Sequence, residues 1–198
     1  LMGILANNEW KEGWMDEGFT SFQTSWFEEL QAKNDGAIRD LEANMLLGDL
    51  DGRSEPVSTV SEKFRDFDTY NSMIYSRGEL FLHELKRMVG DSTMREIFLT
   101  DYARWKLRHV DEEAFKAVAE EVSHRDLSTF FAQWLHAVVL TDYAVAGASR
   151  VHAADGWHTT VELQRKAPGV YPVNVAVYGA TDTAYATARG IGERARLE

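Results

Sequence analysis

Two strings in the first 80 residues carry the side chains best suited to chemistry. Residues 7–22 read NNEWKEGWMDEGFTSF and hold Glu17, and residues 69–78 read TYNSMIYSRG and hold Tyr70 and Tyr75. A carboxylate can hold a zinc ion at about 2.0 to 2.2 Å. A phenol with a pKa near 10 stays protonated and can donate where negative charge develops. By position alone both are ordinary: an acid in the first turn of a helix, and a half-buried tyrosine bonded to a carbonyl.

Other strings that suggest chemistry lack a required partner. His83-Glu84 resembles the start of a zinc helix, but Arg87 stands where a second imidazole is needed. His124-Arg125-Asp126-Leu127 mimics a kinase catalytic loop, yet Phe131 stands where the metal-binding Asn is expected. The histidines are scattered without ligand spacing, at positions 83, 109, 124, 136, 152 and 158. The sequence therefore predicts no complete metal site within these residues.

The elements that must position Glu17, Tyr70 and Tyr75 are helices. A stripe of large apolar residues predicts a helix over about 16–33, formed by Phe19, Phe22, Trp26, Phe27 and Leu30. Glu17, Thr20 or Ser21, and Thr24 form a small polar stripe on the opposite face. Turn residues predict a loop at 48–56. Further helices are predicted from Asp68 or Thr69 to about Val89, from Ser92 or Thr93 to Leu107, from a cap at Asp111 to Val122, and over Leu127–Ala137.

After about Leu140 the pattern changes to short β-branched and aromatic runs. These predict strands over 143–148, 158–164, 171–178 and 183–188, separated by Asp-Gly, Pro-Gly and Gly-Ala turns. No closing strand is expected before Glu198. We therefore predict two domains, 1–140 helical and 141–198 built of strands.

Composition excludes several classes of protein. The 198 residues carry a formal charge of −11, which repels nucleic acid, and have no cysteine for disulfides or thiol catalysis. No apolar run is long enough to cross a membrane. No targeting peptide can be recognised, so the compartment stays open, as does the oligomeric state.

The first string resembles the segment that follows the zinc helix in the gluzincin metallopeptidases of the aminopeptidase N and leukotriene hydrolase family. In that family a Trp-x-x-Glu-Gly-Phe pattern supplies the third zinc ligand, which the resemblance carries to Glu17. The family's His-Glu-x-x-His motif would then end three positions before Leu1. The second string resembles the family's Tyr-x-x-Gly element, in which Tyr75 would steady the oxyanion, with Tyr70 as a helper. Gly78, one turn later, is interpreted as room for a substrate.

Residues 126–134 are similar to the family's closing helical element. The resemblance implies a mainly α fold, the helical C-terminal half of a thermolysin-like catalytic domain, followed by a β-sandwich-like strand region that we expect to be incomplete. One difference is Thr24, because relatives often carry an acid seven residues after the ligand.

The resemblance implies a zinc aminopeptidase that cleaves N-terminal peptide bonds through metal-activated water, with one zinc ion as cofactor and a peptide as substrate. We expect the chain alone to be inactive, because one carboxylate cannot replace two imidazoles and a general base. Two alternatives stay open: a non-catalytic peptide-binding or scaffold relative, and the epoxide-hydrolysing branch of the family.

Overall fold

The computed structural model describes residues 4–34, 36–189 and 192–197. Leu1 and Glu198, which the predictions about the zinc motif and the closing strand name, lie outside these residues. Two compact units divide the chain, the first ending at Val138 and the second beginning at Val139. The first is helical and the second is built of antiparallel strands, which confirms the predicted fold class.

The described part of the first unit consists of α-helices, a 3₁₀ turn and a π-helical segment. A 3₁₀ turn covers Ser61–Lys63, and a π-helical segment, Ser72–Arg77, joins two α-helices into one continuous rod. The α-helices are α1 (Glu9–Glu12), α2 (Trp14–Ala32), α3 (Gly36–Leu50), α4 (Phe67–Asn71), α5 (Gly78–Val89), α6 (Asp91–Trp105), α7 (Glu112–Ser123) and α8 (Ser128–Leu135). Within the described residues no helix is both long and apolar enough to span a bilayer.

Side chains and glycines fix where these helices begin and end. Asp66 caps α4 by accepting a hydrogen bond from the Thr69 amide at 2.7 Å, so the helix begins slightly earlier than the predicted start at Asp68 or Thr69. Asp111 caps α7 in the predicted way, with the Ala114 amide at 2.9 Å. Gly90 ends α5 as predicted, with φ of 89°.

The core of the helical unit lies where α2 packs against α5 and the π-helical segment. Its largest buried side chains include Trp14, Phe22, Phe81, Phe115 and Phe131. The predicted stripe on α2 is wrong in its second half, because Phe27 and Leu30 are exposed. Phe27 lies five residues after Phe22, roughly 140° around the helix, and Leu30 belongs to the last turn of α2.

Helix α3 is absent from the sequence prediction. Among its described residues only Ile38 is buried, whereas Leu46, Leu47 and Leu50 are exposed. Because its apolar residues do not form one buried stripe, periodicity gave no signal there. The helix runs to Leu50, so the predicted loop begins about three residues too early.

In the described part of the second unit the strands form two antiparallel sheets. Strands β1 (Tyr143–Ala153), β2 (Gly156–Arg165) and β5 (Arg194–Leu197) form one in the order β1-β2-β5, and β3 (Val173–Tyr178) pairs with β4 (Thr183–Ala188) in the other. Val161, Leu163 and Ala188 form the buried cluster. The expectation of no closing strand is wrong: β5 is short and half charged, yet its backbone pairs with β2.

Candidate active site

The first turn of α2 presents Glu17. This residue is half-buried, and its amide donates to the Gly13 carbonyl at 3.1 Å. Asp16 precedes it, and both carboxylates stand where the positive end of the helix dipole stabilises negative charge. Glu17 is therefore held at the start of a rigid helix of 19 residues.

Two glycines bring the helices carrying Glu17 and Tyr75 into backbone contact. A Cβ added at Gly18 would lie 2.9 Å from the Gly78 carbonyl carbon and 3.0 Å from its Cα. The reciprocal Cβ at Gly78 would lie 3.3 Å from the Gly18 Cα and 3.2 Å from the Trp14 Cβ. The interpretation of Gly78 as room for a substrate is therefore wrong, because the neighbouring helix fills that space. Sequence reasoning missed Gly18, although a glycine inside a strongly helical string was a usable signal.

The π-helical segment sets the direction of Tyr75. The Gly78 amide points to the Met73 carbonyl, five residues back, as well as to the Tyr75 carbonyl. Met73 and Ile74 are buried beside Tyr75 and anchor the segment. Single-turn π segments inside α-helices occur frequently at functional sites. Here the segment carries the tyrosine for which the sequence predicted a role.

Glu17 and Tyr75 meet directly. The Tyr75 hydroxyl donates a hydrogen bond to the Glu17 carboxylate, which raises the pKa of Tyr75 to about 12, with partial burial as the second cause. Tyr70 and Asp16 add smaller contributions in the same direction. Since the phenol stays protonated at any working pH, it remains a hydrogen-bond donor.

Tyr70 lies near this pair without forming part of it. Its ring packs edge-on against Phe64, with centroids 5.6 Å apart, and stacks on Phe67 at 6.1 Å. Its influence on the Tyr75 pKa is electrostatic. The structure therefore brings Glu17 and Tyr75 into contact, with Tyr70 as a neighbour.

The neighbouring polar groups on α2 are occupied locally. Thr20 donates to the Asp16 and Glu17 carbonyls at 3.1 and 3.0 Å, and Thr24 donates to the Thr20 carbonyl at 3.0 Å. The hydroxyls of both threonines are therefore bonded to the backbone of α2. Burial raises the pKa of Asp16, and the nearby charges of Glu17 and Glu9 raise it further.

Among the described residues, Glu17 has the chemistry of one ligand of a metal ion. Glu17 offers a half-buried carboxylate beside a protonated phenol, which suits a cation in a partly dry site. No group of three or more His, Cys, Asp or Glu among residues 4–34, 36–189 and 192–197 could hold a metal. His83 is buried in the core, where the Ser25 hydroxyl lies 2.8 Å from its Nε2 atom. A complete metal site would need donors in addition to Glu17.

Sequence comparison finds similarity to peptidases. The chain matches the Peptidase family M1 domain over residues 3–134. It is 28% identical to Aminopeptidase B of Rattus norvegicus over 131 residues, 60% of this chain and 18% of that protein. It is 26% identical to Leucine aminopeptidase 2 of Sclerotinia sclerotiorum over 124 residues, 58% of this chain and 20% of that protein. The match thus spans about a fifth of each relative.

Structural comparison shows the same fold. The chain resembles the crystal structure of Legionella pneumophila aminopeptidase A in complex with aspartic acid, with a TM-score of 0.67 and 14% identity. That match covers 98% of this chain and 22% of the other. A mutant M1 zinc metallopeptidase from Deinococcus radiodurans gives a TM-score of 0.53 at 22% identity, covering 64% of this chain and 28% of that one. At these identities the likeness concerns the fold alone.

Proposed function

The chain belongs to peptidase family M1, and from that premise we propose that it contributes one side of the active site of a zinc-dependent aminopeptidase. The observation that carries the proposal is the hydrogen bond between Tyr75 and Glu17 at the glycine-lined contact of two helices. The two side chains come from segments 58 residues apart, and each was singled out by its own motif.

Glu17 is assigned the role of a zinc ligand. The proposal supposes two further ligands and a general base outside the described residues, so the 198-residue chain alone is expected neither to hold zinc tightly nor to cleave peptides. When bound, zinc supplies Lewis acidity that polarises the substrate carbonyl. Asp16 and the start of the helix shape the field around Glu17.

Tyr75 is assigned the role of oxyanion donor. Its phenol donates to Glu17, so it is already protonated and oriented toward the site. A small rotation of the ring would redirect the same O–H to a carbonyl oxygen that gains negative charge. Losing one such donor typically costs about 10² to 10³ in rate. Tyr70 is proposed as a helper that keeps the neighbourhood of Tyr75 aromatic and partly dry.

The test uses the complete enzyme that contains this chain. Glu17→Gln should lose both bound zinc, measured by mass spectrometry of the metal, and activity on peptides with a free N-terminus. Tyr75→Phe should keep its zinc and lower kcat by about 10² to 10³ with little change in KM. Matched controls are Glu28→Gln and Tyr102→Phe, which remove an exposed carboxylate on α2 and an exposed phenol on α6.

Three outcomes separate the alternatives. If Glu17→Gln and Tyr75→Phe retained the turnover of their controls, the site assignment would be wrong. A folded complete enzyme with no zinc and no hydrolysis would favour the scaffold alternative. Turnover of a lipid epoxide in place of peptides, with the same dependence on Glu17, would favour the epoxide-hydrolysing branch.

A further inference from the structure

An open groove of about 610 Å³ adjoins the candidate active site on the side of Tyr70. Parts of three elements line it: α1, the 3₁₀ turn with the residue that follows it, and the start of α4. Its described lining is Glu9, Trp10, Ser61, Glu62, Phe64, Asp66, Phe67 and Tyr70. The Ser61 hydroxyl donates to the Glu9 carbonyl at 3.0 Å, which ties the 3₁₀ turn to α1.

Aromatic rings form much of the groove surface and are open to solvent. Trp10 is 58% exposed and Phe67 is 76% exposed. Tyr70 connects this surface to Tyr75, and its contacts with Phe64 and Phe67 hold the rings together. Exposed aromatic faces attract cations by about 0.5–1 kcal/mol each at solvent-accessible sites.

The charges of the groove have one sign. Three of its described lining residues are acidic and none is basic. Asp66 is already engaged by the Thr69 amide and by Arg65 at 3.3 Å, so Glu9 and Glu62 supply the remaining negative charge. The formal charge of −11 on the whole chain strengthens the attraction for a cation at long range.

We propose that this groove binds a Lys or Arg side chain of the peptide substrate, with its aliphatic stem along Trp10 and Phe67 and its cationic end beside Glu9 and Glu62. The proposal rests on the proposed function and specifies its substrate class.

The test measures binding to the 198-residue chain by titration calorimetry. The probe is acetyl-Ala-Ala-Arg-Ala-Ala-amide, compared with peptides that have citrulline or Glu in place of Arg. Blocked ends exclude recognition of a free amine, so the result does not depend on metal or catalysis. We expect the Arg peptide to bind about fivefold or more tightly than the citrulline peptide, and added salt to weaken it.

Variants locate the binding. Glu62→Gln and Trp10→Ala should each weaken the Arg peptide about threefold. The controls Glu113→Gln and Trp157→Ala remove an exposed acid on α7 and a 60% exposed tryptophan on β2, and both should bind like the parent chain. Far-UV circular dichroism of each variant confirms that it is folded.

Equal affinity for the Arg and citrulline peptides, no measurable binding of any peptide, or equal losses in Glu62→Gln and Glu113→Gln would each overturn the proposal. A groove that fails this test while the complete enzyme still depends on Glu17 and Tyr75 would leave the proposed function standing.

Discussion

Replacing Gly18 by alanine should separate the two helices that bring Glu17 to Tyr75. The added Cβ would lie 2.9 and 3.0 Å from backbone carbons of Gly78 and 3.2 Å from the Ile74 carbonyl oxygen. Ordinary carbon–carbon contacts lie at about 3.5–4.0 Å. All three neighbours are backbone atoms, so no side chain can rotate away and the helices must move apart.

The loss in free energy of unfolding caused by Gly18→Ala is best measured against Gly48→Ala as a matched control. Overpacking of this kind costs about 1–3 kcal/mol, while Gly→Ala in a helix interior gains about 1 kcal/mol of propensity. In Gly48→Ala, within α3, the new Cβ would meet only the Ser54 hydroxyl at 3.6 Å. This variant therefore keeps the gain in helix propensity without the cost of overpacking. We expect Gly18→Ala to lie about 2 kcal/mol below Gly48→Ala in free energy of unfolding, since propensity cancels in the comparison.

Urea unfolding followed by circular dichroism at 222 nm measures the stability of the helical unit, which holds the described α-helices. Hydrogen exchange supplies a second measurement. Amides of the π-helical segment Ser72–Arg77 should exchange faster in Gly18→Ala than in the parent chain, and at the parent rate in Gly48→Ala. Equal stability of the two variants, together with unchanged exchange, would refute the claim that Gly18 and Gly78 set the helix distance.

Three other substitutions test charges and caps. Burial raises the pKa of Asp101 from 3.8 to about 6, and one oxygen of its carboxyl group has no hydrogen-bond partner among the described residues. Because the pKa is higher in the folded protein than in the unfolded chain, Asp101 contributes its full stability below about pH 4. That contribution is lost as the pH rises through 6. Asp101→Asn should accordingly raise the free energy of unfolding by up to about 3 kcal/mol at pH 8 and change it little at pH 3.5, as urea melts at both pH values would show. Asp111→Ala removes the cap of α7 and should cost about 1 kcal/mol in the same melt, whereas an unchanged midpoint would contradict the cap. Asp49→Asn leaves Arg77 buried without its ion-pair partner and should cost about 3 kcal/mol, against nearly nothing for Asp51→Asn, whose pair is exposed.

The elements whose residues carry a local physical signal were predictable from the sequence. Asp111 followed by two glutamates predicted the start of α7, and Gly90 predicted the end of α5. Helix α3 was missed because its apolar residues do not share a buried face. Strand β5 was missed because its stability comes from backbone pairing with β2, which its own four residues do not reveal.

The candidate site was predictable only as separate residues. The two motif strings identified Glu17 and Tyr75, but their contact depends on how α2 crosses the rod formed by α4 and α5. That crossing depends on Gly18 facing Gly78, and the second glycine was assigned to the substrate because one string alone cannot show which neighbour fills the space. The contact between Glu17 and Tyr75 therefore depends on long-range packing, which a local sequence pattern does not reveal.

The π-helical segment holds one residue more than a regular α-helix would need for the same length. Deleting a single codon within it would restore regular winding and leave α4 and α5 in nearly their present orientation, because the removed residue is the one that the wider turn accommodates. The side chains inside the segment would change direction, so Tyr75 would no longer keep its present direction toward Glu17. A single in-frame deletion would therefore displace one of the two candidate site residues while the helices that carry them stay in place.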